Sequence, residues 1–85
     1  MNFGQALEHL KAGARVMRTG WNGQGMFAYL IPAASYPAQT DVAKAAFGEM
    51  VPYRAYLALK TAQGDVATWA PSVGDVLAED WQVLT

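Results

Sequence analysis

Arg15-Val-Met-Arg-Thr-Gly-Trp-Asn-Gly-Gln-Gly-Met-Phe-Ala-Tyr-Leu-Ile31 is the stretch that decides the fold. Arg15 to Arg18 alternates polar and apolar residues in the two-residue period of a half-buried strand. Met26 to Ile31 reads as a second strand, which Pro32 ends because it brings no backbone donor. The glycines at positions 20, 23 and 25 permit the positive φ angles of a tight connection. The stretch is therefore a hairpin with Gly20 to Gly25 as its loop.

Working outward, Asn2 and Gln5 have capping-box spacing, and Phe3, Ala6, Leu7 and Leu10 recur at helical intervals. Glu8 and Lys11 fall on the opposite side and Gly13 supplies a stop, so a helix is expected over residues 3–12. On the other flank, Ala33 to Gln39 is turn-like, and Thr40 caps the helix formers that run to Phe47, predicting a short helix. Tyr53 to Lys60 reads as one strand, turned by Ala62 to Asp65 into a strand over Val66 to Trp69. Ser72 and Asp75 repeat the capping-box spacing before Val76-Leu77-Ala78, and Trp81 to Leu84 closes as a strand. This order predicts an α+β fold: an N-terminal helix packed on an antiparallel sheet of four to five strands, with short additional helices.

At 85 residues the chain holds one core, so residues 1–85 are expected to form a single ligand-binding domain. A chain of this size buries only about 60–65% of its unfolded surface, and without cysteine it has no disulfide to supplement that margin. Hydrophobic residues make up 53%, including three Trp, four Tyr and three Phe, more apolar surface than one small monomer easily hides. Self-association is the natural supplement. The formal net charge of −1, with no basic block, argues against polymeric nucleic acid as a partner. The longest apolar run, Met26 to Ala34, is too short for a bilayer and contains Pro32, and no secretory signal pattern opens the chain. A cytoplasmic location without membrane contact is the expectation.

Catalytic chemistry finds little support. His9 is the sole histidine and there is no cysteine, which argues against a metal site. Ser35 and Ser72 lack the sequence context of a nucleophile, and Ser72 is explained as a helix cap. Asp75, Glu79 and Asp80 offer paired carboxylates for acid–base work on a nucleotide, although such spacing in a short helix ordinarily marks a solvated face. No cofactor is expected.

Two readings of the loop stand side by side. In one, Trp21 pins a glycine hairpin against a core edge or serves as an interface anchor. In the other, its ring stacks on a base, worth about 1–3 kcal/mol, while Asn22 reads a polar edge and Arg18 neutralises a phosphate. The glycines then let backbone N–H groups approach the ligand. The loop does not follow the dinucleotide fingerprint, because it joins two strands and opens no helix.

Leu10-Lys11-Ala12-Gly13 followed by Val16 to Met26 resembles the opening of the phage Thoeris anti-defence family, second type. Lys60-Thr61-Ala62-Gln63-Gly64, Trp69, Pro71-Ser72 and Asp75 to Trp81 resemble that family's closing segment, so the likeness spans about residues 2–30 and 53–83. It implies a homo-oligomer, a tetramer, whose pockets at subunit interfaces sequester cyclic ADP-ribose isomers such as glycocyclic ADP-ribose and, in some members, cyclic oligonucleotides. The implied ligand contacts are Arg18, Trp21, Asn22, Gly23, Gly25, Met26, Tyr53, Arg54, Ser72 and Asp75. Trp21 would stack on a purine, and Ser72 and Asp75 would bond ribose or base groups. Where the family carries Tyr-Arg-Pro-His, this chain has Tyr53-Arg54-Ala55-Tyr56, which removes an imidazole.

Overall fold

A computed structural model describes residues 1–84. The elements in chain order are α1 (Phe3–Lys11), β1 (Arg15–Arg18), β2 (Phe27–Ile31), β3 (Ala34–Pro37), α2 (Asp41–Phe47), β4 (Met50–Tyr53), β5 (Tyr56–Lys60), β6 (Val66–Thr68), α3 (Val73–Leu77) and β7 (Trp81–Leu84). The fold is α+β, with a five-stranded antiparallel sheet in the order β6-β5-β2-β1-β7 and a separate two-stranded sheet of β3 and β4.

Local chemistry sets the helix starts. The Asn2 side chain accepts from the Gln5 amide at 2.9 Å while the Asn2 amide donates to Gln5 Oε1 at 3.0 Å. These reciprocal bonds satisfy donors that the first helical turn leaves free. Ser72 and Asp75 do the same for α3, at 3.1 and 3.0 Å.

Ala6 and Leu10 of α1 are fully buried against Val16, Ala28 and the ring of Trp81, which together form the core. Leu57, Leu59 and Val83 pack on its margin. Alternation then sends Arg15, Met17, Phe27, Tyr29 and Ile31 to the opposite face of the sheet. Both α1 and α3 lie on the core face, which leaves that second face without a helical layer.

Two expectations change in the middle of the chain. Residues 34–37, read as turn, form β3, paired with β4 in the register Ala34↔Tyr53 to Pro37↔Met50. The strand expected over Tyr53–Lys60 breaks at Arg54 and Ala55, where the chain passes from the small sheet into the large one. The predicted short helix exists as α2, capped by Thr40, but it packs on β4 and none of its residues is buried. These three elements make an arm that leaves the body. The molecule measures 44 × 26 × 25 Å with a radius of gyration of 15.1 Å, against about 12 Å for a compact chain of this length.

Candidate functional site

The glycine loop is anchored from beneath by charge. The Arg18 guanidinium, at the end of β1, donates from Nη1 to Asp75 Oδ1 at 2.8 Å and from Nε to Asp80 Oδ1 at 2.8 Å. Asp80 also accepts from the Gly20 amide at 2.8 Å, and Asp75 from the Ser72 amide at 3.0 Å. Thus one cation ties the hairpin to α3 through Asp75 and, through Asp80, to the residue that precedes β7. Burial pushes the Asp75 carboxyl up, but Arg18, the Ser72 amide and the Trp21 indole outweigh it and hold it below the usual carboxylate range. Asp80 is held down chiefly by Arg18, and Arg18 is raised by Asp80 and Asp75 in turn. All three remain charged at neutral pH.

Trp21 is half-buried on this frame. Its Nε1 donates to Asp75 Oδ1 at 3.2 Å, and its ring meets Trp81 edge-on at 5.3 Å and Trp69 at 6.1 Å. Trp81 Nε1 donates to the Asp75 backbone oxygen at 2.9 Å, so a single residue orients two indoles. Edge-to-face contacts of this kind add about 0.5–1.5 kcal/mol beyond burial.

Of the loop glycines, only Gly25 uses positive φ, at 75°. Gly23 is needed for space, because a Cβ there would run into Met26 and the Ala62 side chain. Met26 therefore lies under the loop, while Asn22 is exposed at its tip.

The sequence-predicted residues fall into two groups. Arg18, Trp21, Ser72 and Asp75 are brought together with Asp80, and Asn22, Gly23, Gly25 and Met26 belong to the loop they support. Tyr53 lies elsewhere, on β4, its ring 5.8 Å from that of Tyr36 on β3. Arg54 follows it, exposed, where the arm joins the sheet.

Beside Tyr53 lies a cavity of about 390 Å³ lined by Tyr36, Tyr53, Tyr56 and Thr68. That volume is in the range of small-molecule sites. The three tyrosines are 42%, 46% and 41% exposed, so ring faces and phenol hydroxyls remain open for a planar partner. Tyr36, Tyr56 and Thr68 were missed by the sequence reading. Only the spacing of tyrosines at positions 36, 53 and 56 hinted at them, and that becomes a signal once β3 and β4 are known to pair.

Among the described residues no three His, Cys, Asp or Glu side chains gather as a metal site, and His9 is exposed on α1. No helix among them is long and apolar enough to cross a membrane. Trp69 and Trp81 pack in or on the core.

These features define a small α+β protein with an ion-paired tryptophan loop on its core face and an aromatic cavity at the root of an arm. Residues 1–84 match the family model of the Tad2-like, or Thoeris anti-defense 2-like, domain. The chain is also 41% identical over 88 aligned positions to Thoeris anti-defense 2 of Bacillus phage SP01, spanning 100% of this chain and 96% of that one. The chain belongs to the Thoeris anti-defense 2-like family.

Proposed function

We propose that this chain binds and sequesters a cyclic nucleotide immune signal without cleaving it, and so counters Thoeris-type defence in the cytoplasm of an infected bacterium. The signal is a cyclic ADP-ribose isomer such as glycocyclic ADP-ribose, with cyclic oligonucleotides as further ligands. The observation that carries the reading is an open, tyrosine-lined cavity of about 390 Å³ in a member of a family named for Thoeris anti-defence. Holding a ligand requires stacking faces and hydrogen bonds, and no reacting group.

On this reading one domain supplies two sets of contacts. Tyr53, with Arg54 beside it, takes a base and a phosphate at the cavity. Trp21 offers a ring face and Asn22 an amide at the loop, with Gly23 and Gly25 letting backbone approach and Met26 beneath. Arg18, Ser72 and Asp75 serve as the frame that fixes Trp21, since Arg18 already bridges two carboxylates. The working unit is a homo-oligomer, a tetramer, in which a second copy completes the enclosure of a ligand too large for one cavity.

Packing of Trp21 against Trp69 and Trp81 favours a second reading, a structural or protein-interaction module in which the loop is only a brace. Thermal unfolding with a panel of cyclic ADP-ribose isomers and cyclic di- and trinucleotides separates the two. A ligand at 100 times its Kd raises stability by about 2.7 kcal/mol, several degrees in a domain of this size. Such a shift, with the ligand recovered intact after denaturation, is the expected result. No shift across the panel selects the interaction module, and time-dependent loss of ligand selects a hydrolase.

A further inference from the structure

We infer that Arg15 and Lys60, which flank the Phe27 ring on the outer face of the large sheet, form a clamp for the diphosphate of a nucleotide ligand. The inference rests on the reading above that the ligand is a nucleotide, and it adds two residues that the reading leaves out.

Elimination among the cations points to this pair. Of the six lysines and arginines, Lys11 meets Glu8, and Arg18 meets Asp75 and Asp80. Lys44 lies on α2, and Arg54 lies between β4 and β5. Arg15 and Lys60 converge instead on one ring, with Arg15 Cζ 5.1 Å and Lys60 Nζ 5.6 Å from the centre of Phe27. Among the described residues no carboxylate pairs with either. Asp65, the acid nearest to Lys60 in sequence, accepts from the Thr61 hydroxyl.

The surface around them is free of negative charge, because none of the five strands of the large sheet carries an Asp or Glu. Two like charges without a counter-ion repel one another, and an anion between them replaces that repulsion with two attractions. Their distances to the ring centre put them at most about 11 Å apart. With charge-assisted bonds of about 2.7–2.9 Å at either end, a diphosphate spans even that widest separation. The ring meanwhile holds both side chains against the sheet, which lowers the ordering cost of binding.

Register joins the clamp to the tyrosine cavity. Tyr56, Ala58 and Lys60 share the outward face of β5, and Thr68 of β6 pairs with Ala58. The cavity wall of Tyr56 and Thr68 therefore stands on the same face as Lys60. Lys60 follows Ala58 by two residues, about 7 Å along the strand, which is the reach from a base to the phosphate of the same nucleotide. On its other side the clamp adjoins the glycine loop, since a Cβ at Gly25 would come 3.7 Å from Lys60 Nζ. Arg54 precedes the opposite end of β5 and so serves a different group.

The test titrates adenosine, adenosine 5′-diphosphate and inorganic pyrophosphate into wild type, the double variant Arg15→Gln/Lys60→Gln, and Lys44→Gln as a control cation on α2. Near-UV circular dichroism of the tryptophan cluster checks the fold of each variant. Calorimetry should find the diphosphate bound at least about tenfold more tightly than adenosine by wild type and by Lys44→Gln. In the double variant that advantage should shrink to below about threefold, with adenosine affinity unchanged within about twofold. Phosphorus-31 line broadening of pyrophosphate should appear with wild type and vanish with the double variant. Adenosine 5′-diphosphate and pyrophosphate bound equally by wild type and the double variant overturn the clamp and leave the cavity reading standing. Pyrophosphate bound through these two residues, with adenosine unbound, supports the clamp and sinks the base-binding role of the cavity. A wild type that binds neither phosphate compound overturns the clamp, whatever adenosine does.

Discussion

Arg18 and Asp75 meet at 2.8 Å across 57 positions of sequence, and their ion pair locks the glycine loop onto α3. The side chains are only 23% and 11% exposed, so loss of Arg18 leaves Asp75 without its cation, whereas loss of Asp75 leaves Arg18 paired with Asp80 alone.

Asp75→Ala removes the Arg18 and Trp21 contacts and half of the α3 capping box together. Loss of one member of a fully buried pair costs about 3–5 kcal/mol, but here the pair is partly exposed and Arg18 keeps Asp80, so the cost is about 2 kcal/mol. Ser72→Ala, which removes the cap alone, should cost about 1 kcal/mol. Urea unfolding at neutral pH measures both, and equal losses for the two variants would contradict the ion-pair role.

Trp21→Ala and Trp21→Phe separate bracing from recognition. Under the sequestration reading, alanine should weaken ligand binding at least tenfold, by loss of one stacking face, with oligomer mass unchanged. Phenylalanine keeps a ring but loses the bond to Asp75, so stability should fall by about 1 kcal/mol while binding largely survives. Calorimetric titration with a cyclic ADP-ribose isomer reads the first effect and urea unfolding the second. Wild-type affinity in the alanine variant would remove Trp21 from the site.

Acid should act through the same carboxylates. Asp75 and Asp80 both have depressed values in the folded state, so their stabilisation is present above the unfolded carboxylate range, near pH 4. It is lost as pH falls through the lower folded values. The melting temperature should be nearly level from pH 7 to about 5 and drop below about pH 4, more gently in Asp75→Asn. An acid limb unchanged in that variant would show that other groups carry it.

The loop glycines should respond for different reasons. Gly23→Ala collides with Met26 and Ala62, an overpacking expected to cost about 1–3 kcal/mol. Gly25→Ala meets no close atom except Lys60 Nζ at 3.7 Å, but must hold φ at 75°, at about 1 kcal/mol. Crystal structures of the two variants should show a shifted Met26 in the first and an altered peptide in the second.

The legibility of this chain follows the range of the forces involved. Capping boxes at Asn2–Gln5 and Ser72–Asp75, the hairpin from Arg15 to Ile31 and the closing strand at Trp81 are written within a few residues, and each could be read. The pairing of β3 with β4 spans α2, and Ser35 and Pro37 hide its period, so the arm and the tyrosine cavity were not visible. Asp80 was noted only as one of several carboxylates, because its partner Arg18 lies 62 positions away. The loop was legible as the connection between β1 and β2, but its underlying charge network needed the packed structure.

The pairing of β1 with β7 has a consequence for how the protein is made. Arg15 to Arg18 can find Trp81 to Leu84 only once those residues have been made, and Trp81 is the largest fully buried side chain of the core. At about 5–20 residues per second, a nascent chain spends several seconds with its first helix and hairpin synthesised but without that ring. Closure of the core thus waits for β7, and nascent chains that stall before residue 81 should remain open to protease and chaperone.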